Sequence, residues 1–479
     1  MIPSKTALPQ GITGTDGRDG TWLLVVLLMG LFIANVDVAV VNVATPSIRE
    51  RLSASDSELQ LVVSGYVLSY AMLLITGARL GAMYGYRRVF LIGIGVFTAA
   101  SLVCGLAPGP IVLIAARVVQ GIGAALMVPQ VLTGIQLNFS GAARTRALGF
   151  YTVALSIGAV AGQILGGALV SANLWGSAWR PIFLINLPIG AAVMMAALRV
   201  LPEHQSGKRE RMDLWGVATL SLAVLLMVLP LTLGHTQQWP AWIWVCLVAS
   251  LASLTAFVVI ERRIAGRGGH PLIDVDLVTR PVIAWTLAAY GLALTTYFSL
   301  LFTLALYLQE GLGKSALYSG LALVSWVAAF GGGGLVVSHV PERFSRFVAP
   351  FGYLVLAAAY GAIGVSLYAG RAGEEVLLVL LGFGGLGLGV GVTATIRQMT
   401  AAVSQRHASD MSGLITTTGQ IAGVAGIATF GTLYFSLAPR PGTDIAAHAF
   451  AIVVTGFAAT ALLAVVTAYR SGHASFTDR

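Results

Sequence analysis

Charge is what this chain has least of. Asp, Glu, Lys and Arg make up 10% of its 479 residues, against 57% hydrophobic residues. A domain folded in water carries far more charge, so a soluble globular protein is excluded. Lysine is nearly absent: Lys5, Lys208 and Lys314 are the only three, and the other basic residues are arginines. Cysteine is equally scarce. Cys104 and Cys246 both fall inside apolar stretches, too few and too deep for a disulfide framework or a zinc site. Catalytic signatures are missing as well. No HExxH, GxSxG or GxxxxGK[ST] occurs. His204, His235, His270, His339, His407, His448 and His473 are scattered through loops and span edges. A metalloprotease, a serine hydrolase and an ATP-driven pump therefore lack their chemistry here, and neither a metal nor a cofactor is expected. The first twenty residues contain no separate short apolar core, so no cleaved signal peptide is expected.

What is present is hydrophobic length. Mean hydropathy is +0.85, and runs of about 20 apolar residues, enough for a helix to cross ~30 Å of hydrocarbon, recur from 21–45 to 446–469. Fourteen such runs can be counted, continuous and not alternating as barrel strands would be. The expected fold is an all-α integral membrane protein. An even span count puts both termini on one side. With that side cytoplasmic, most of the 28 Lys and Arg lie on or near the cytoplasmic face, in keeping with the positive-inside rule. The pI near 9.8 then reflects topology and not a nucleic-acid partner. The longest connections, around 200–212 and 261–280, bracket spans seven and eight. The expected organisation is a cytoplasmic tail (1–20), a six-helix bundle (21–200), an inserted helix pair with flanking cytoplasmic loops (201–280), a second six-helix bundle (281–469) and a cytoplasmic tail (470–479). Two loops, "ARLGAMYGYRRVF" and "VVSHVPERFSRFV", echo each other in the two halves, and paired six-helix halves are a transporter design.

Within the spans one acid and one base stand out. Asp37 and Arg117 are the only charges of their sign placed deep in the membrane, where a charge costs at least ~2.5 kcal/mol and is usually functional. Asp37 lies nine residues before Pro46, and Arg117 seven after Pro110. At 1.5 Å per residue these are depths of ~13 Å and ~10 Å below the outer surface. Opposite charges at matched depth are expected to line a polar cavity in the bundle core; the alternative is a permanent ion pair that fixes helix register. Burial disfavours a charged carboxylate and a nearby arginine favours it, so movement of Arg117 would alter proton affinity. Asp37 would then hold alternately a proton and either Arg117 or a solute.

Neutral polar residues give a second tier. Gln120, three residues from Arg117, shares its face, whereas Asn42, five from Asp37, does not stack on it. Asn42, Gln163, Gln309 and Gln420 either line the cavity or bond between helices, and Tyr297, among several aromatic residues, could face an organic solute. Gly158, Gly162 and Gly166 make a smooth stripe for close helix approach and sliding.

Several segments resemble the fourteen-span drug:proton antiporters of the major facilitator superfamily, from about Val36 to Ala464. "VDVAVVNVATP" (Val36 to Pro46) is similar to that branch's first-span pattern, "RVVQGIGAALMVP" (Arg117 to Pro129) to its RxxQGxGaa motif, and "GAVAGQILGG" (Gly158 to Gly167) to GxxxGPxxGG. Further matches are "WRPIFLINLPIG", "LYLQEGLGKSALYSG" and "SGLITTTGQIAGVAG". The resemblance implies proton coupling at Asp37 and Arg117, conformational or packing roles for Gly121 and Gly167 besides the stripe, and a cytoplasmic gate loop with Gly85, Arg87 and Arg88. It also implies spans one and four as neighbours. Two departures matter. The loop has Ala78, Ala82 and Met83 where the family pattern has Gly, Asp and Arg, so its latch should be weak or rely on Arg87 and Arg88 meeting another helix C-terminus. Gln163 replaces the span-five proline. The function implied is proton-driven export of small organic, drug- or antibiotic-like compounds across the plasma membrane by a monomer in contact with lipid. A dedicated exporter of one metabolite or lipid, or an uncoupled facilitator, is the alternative.

Overall fold

The computed structural model describes residues 17–203, 214–233, 237, 239–267, 278–338, 340–341, 344–369, 374–403, 408–438 and 443–477. The tail 1–16, the basic loop with Lys208, Arg209 and Arg211, and His204, His235, His270, His339 and His407 lie outside the described residues. Among the described residues every regular element is helical.

Local chemistry sets the helix ends. α1 (Gly17–Leu52) is followed by α2 (Asp56–Tyr84), which starts on a capping box in which Ser55 and Glu58 bond each other's backbone. Gly85, at φ +90°, turns the chain sharply into α3 (Tyr86–Leu106), a conformation that costs little only for glycine. α4 (Pro110–Asn138) opens on proline at its first position. α5 (Gly141–Ala172) ends at Asn173 in the left-handed region, which asparagine tolerates. A single helical turn, Pro181–Leu184, precedes α6 (Asn186–Val200).

Next come α7 (Leu214–Leu233), α8 (Ala241–Gly266) and α9 (Pro281–Leu306), which runs into a π-helical turn, Tyr307–Gly311. α10 (Ala316–Ser338), α11 (Ser345–Tyr368) and α12 (Glu374–Ala401) follow. α13 (Ala408–Gly426) also ends in a π-helical turn, Ile427–Gly431, continued by Thr432–Leu437, and α14 (Thr443–Thr477) closes the chain.

Packing repeats with a shift of eight helices. α4 packs on α2 and α3, α5 on α1 and α6 on α3; in the second half α12 packs on α10 and α11, α13 on α9 and α14 on α11. The contacts between halves are likewise matched, α5 against α10 and α13 against α2. α7 and α8 pair with each other through Ser250 Oγ to Ala223 O (2.6 Å) and Ser253 Oγ to Thr219 O (2.8 Å). α7 lies across the α2–α13 seam, where Thr432 Oγ1 donates to Leu231 O at 3.3 Å. The inserted pair therefore touches both halves.

Twelve helices among the described residues are long and apolar enough to cross a membrane, and two shorter apolar helices, Ile157–Ala172 and Trp215–Leu231, account for the other expected runs. In α5 the apolar part follows a polar start carrying Arg144 and Arg146. Large apolar side chains such as Val248 and Leu251 of α8 point outward, as suits a protein whose solvent is hydrocarbon.

Candidate functional site

Asp37, near the middle of α1, is completely buried, and its carboxylate is bonded by three side chains from two helices. Arg117 of α4 pairs with Oδ2 through NH1. Gln120 Nε2, one turn further along α4, donates to Oδ1 at 2.8 Å, and Asn186 Nδ2, the first residue of α6, donates to the same oxygen at 3.0 Å. Both amides also reach Ser101 Oγ of α3, at 3.2 and 3.0 Å, and that hydroxyl donates to Phe183 O at 3.0 Å. The guanidinium is held equally firmly: NH1 donates to Gln120 Oε1 (2.8 Å) and Nε to Val62 O of α2 (3.1 Å). It lies 4.4 Å from the centre of the Tyr66 ring and 5.6 Å from that of Phe183.

The two charges thus meet directly, but the cavity expectation needs correcting. Asp37, Arg117, Gln120 and Ser101 show no exposure and Asn186 only 2%. The network is sealed within the first half between α1, α2, α3, α4 and α6, and lines no open cavity in this conformation. Bonds to both carboxylate oxygens and from Nε and NH1 of the guanidinium are what make such burial tolerable, because desolvating two charges can cost as much as their attraction returns. Asn186, Ser101 and Tyr66 were missed in the sequence; the signal available for Asn186 was an amide in the otherwise apolar "IFLINLPIG".

The other candidates lie elsewhere. Asn42 sits away from Asp37 on α1, its Nδ2 turned back to Val38 O (3.1 Å) and its Oδ1 without a hydrogen-bond partner. Gln309 Nε2 donates across the halves to Val43 O at 2.9 Å. Gln163 is fully buried with both side-chain polar atoms unpartnered. Tyr297 packs against Phe298 and Phe330, with ring centroids 5.2 and 5.4 Å away, and Gln420 is half-buried on α13.

The glycines set close approaches. Gly158, Gly162 and Gly166 lie against Asn35, Val36 and Val40 of α1, Gly121 against Tyr66 and Ser69 of α2, and Gly167 against Ala316 of α10. At the other end of the bundle, Arg87 beyond Gly85 donates to Leu198 O at 2.7 Å in the last turn of α6 and pairs with Glu203 at 2.9 Å. Arg88 is exposed.

Contacts between halves gather at the Arg49 end. Arg49 pairs with Asp56 of its own half (2.8 Å) and with Glu310 of the other (2.9 Å), its guanidinium over the Phe435 ring at 5.0 Å. Ser171 Oγ accepts from Leu317 N at 2.9 Å. Around them lies a cavity of 750 Å³ lined by Arg49, Asn173, Gln309, Lys314 and Tyr434, among others. A Cβ at Gly320 would stand 2.3 Å from the Gln163 carbonyl oxygen, closer than atoms can pack, so Gly320→Ala must part α5 and α10 at this level. The variant is expected to insert normally and to label faster than wild type with a membrane-impermeant thiol reagent at Asn173→Cys; an unchanged rate would show that this contact does not govern opening.

Comparison with known proteins agrees with this architecture. The Major Facilitator Superfamily profile matches residues 27–427. The chain is 36% identical to a probable actinorhodin transporter of Streptomyces coelicolor, over 91% of this chain and 77% of that one. It is 35% identical to a cephamycin export protein of Amycolatopsis lactamdurans, over 89% and 88%. Among solved structures, a bacterial homolog of the human lysosomal transporter Spinster, inward-facing and unoccupied, superposes with a TM-score of 0.70 at 17% identity, covering 97% of this chain and 99% of that one.

Proposed function

Because this chain belongs to the Major Facilitator Superfamily, a family of transporters and not enzymes, we propose that it exports small organic, antibiotic-like compounds across the plasma membrane in exchange for protons. The relatives named for export of actinorhodin and cephamycin support the substrate class. The fourteen apolar runs support fourteen spans, and the positive-inside rule supports both termini and the Arg87 end being cytoplasmic. The Arg49 end then faces outward and is bridged by the Arg49–Glu310 pair.

One observation carries the proton reading: a carboxylate sealed in the first half and held by a guanidinium and two amides. Bonds to a charged acceptor are about twice as strong as bonds to a neutral one, so a proton on the carboxylate and a loosened network go together. Asp37 and Asn42 lie five residues apart, ~140° around α1, so one helix carries the proton site on one face and a polar residue with an unpartnered oxygen on another. Coupling then runs through the position of α1 rather than through direct displacement of proton by solute. Flux is coupled only if the two facing states differ in their affinity for proton and solute. The bonded network supplies such a difference if it is intact in one state and broken in the other.

A second reading has its own support, since each of those two relatives is named for one compound: this chain is a dedicated exporter of a single metabolite. Accumulation of a broad compound panel in efflux-deficient cells, with and without a protonophore, separates the readings. Lowered accumulation of many compounds, abolished by the protonophore, is expected. A response to one compound alone gives the dedicated exporter, and indifference to the protonophore gives a facilitator.

A further inference from the structure

We propose that α6 is the element through which protonation of Asp37 reaches the cytoplasmic loop between α2 and α3, with Asn186 as the positioning residue at one end and the Arg87 contact at the other. This rests on the proton reading above. The observations concern both ends of one short helix. At its first residue, Asn186 Nδ2 bonds Asp37 Oδ1 and Ser101 Oγ, both at 3.0 Å. Twelve residues on, or ~18 Å along the axis, the Leu198 carbonyl accepts from Arg87 NH2 at 2.7 Å, and Glu203, just past the helix, pairs with Arg87 NH1 at 2.9 Å.

The loop's own sequence makes this anchorage matter. Ala82 leaves it without a carboxylate to fix its arginines, and Arg87 is fixed by the negative end of a helix dipole and by a carboxylate borrowed from beyond α6. The turn Pro181–Leu184 runs into α6 through Ile185 in the helical conformation, so a displacement at Asn186 is carried along one continuous helical segment to Leu198. α6 lies against α1 and α3, the helices that carry Asp37 and Ser101.

The chemistry at the Asn186 end is a hydrogen bond to a charged acceptor, which is about twice as strong as one to a neutral group. A proton on Asp37 removes that charge, weakens the hold on Asn186 and frees the near end of α6; Arg87 and the loop follow the far end. The other titratable groups facing Asp37 are Arg117 from α4, Tyr66 from α2 and Cys104 from α3. Two neutral amides, Gln120 of α4 and Asn186 of α6, donate to the carboxylate and follow its proton without adding a charge; only Asn186 begins a helix whose far end meets Arg87.

The test uses the full chain in proteoliposomes, with Cys246→Ser to remove the less buried thiol and Tyr84→Cys as a reporter on the loop. Two properties are read: the pH midpoint of substrate counterflow, and the pH dependence of Tyr84→Cys labelling by an impermeant maleimide. Asn186→Leu removes a donor to the charged carboxylate. It is expected to move the midpoint to more alkaline pH by about one unit, tenfold in proton affinity, and to flatten the labelling response. Asn186→Ser, smaller and still polar, should do the same if the leucine variant fails to insert. Arg87→Gln cuts the other end and should flatten the labelling response with the midpoint unmoved. An unmoved midpoint in both Asn186 variants, with labelling as pH-dependent as in wild type, overturns the α6 link alone. Counterflow independent of pH in the wild type overturns the proton reading and the link with it.

Discussion

Asp37→Asn, at wild-type membrane levels, is expected to lose gradient-driven export completely while still inserting. Asparagine keeps the shape of the side chain, so Gln120 and Asn186 retain an oxygen to bond, and Arg117 keeps Val62 O, Gln120 Oε1 and the Tyr66 ring. What it cannot do is take up and release a proton. The measurement is accumulation of an exported compound in energised cells, with the protonophore-treated wild type as the reference for zero coupling. The variant should match that reference. A variant that exports like untreated wild type would make the Asp37–Arg117 pair a fixture of helix packing and remove proton coupling from this site.

Arg117→Gln should have the largest effect on stability. It leaves a carboxylate with no exposure and only amide donors, and removing one partner of a buried ion pair costs about 3–5 kcal/mol. Thermal unfolding in detergent should show a marked fall, or the variant should fail to accumulate. Adding Asp37→Asn removes the orphaned charge, so the double variant is expected to melt near wild type and still not export against a gradient. That split, stability restored and transport not, is what distinguishes a proton-handling pair from a register pin. Export recovered together with stability would favour the pin.

Much of the frame was legible in the sequence because bilayer thickness translates directly into run length. Asp37 and Arg117 were legible for the same reason, since charges deep in apolar runs are rare. Their surroundings were not. Ser101 and Asn186 are neutral residues of a kind common in spans, and only the packing of α1, α3 and α6 identifies them as partners of the carboxylate. The same packing reversed one expectation: opposite charges at matched depth suggested a lined cavity, whereas five helices close over them, and the 750 Å³ cavity lies beside Arg49. Arg87 is a case in which absence was informative. A loop without its carboxylate should be weakly latched or lean on another helix C-terminus; Arg87 does the second at the Leu198 carbonyl, while Arg88 is exposed. The Arg49–Glu310 pair joins residues 261 positions apart, and no spacing in a sequence signals such a contact.

The most direct test of the central claim is proton movement itself. Purified protein in proteoliposomes enclosing a pH-sensitive dye, with no imposed gradient, receives an outward-directed gradient of an exported compound. Coupled exchange predicts that the lumen acidifies as the compound leaves, and that Asp37→Asn abolishes the acidification. Exit of the compound at the wild-type rate with no change in lumenal pH would contradict proton exchange and leave a facilitator in its place.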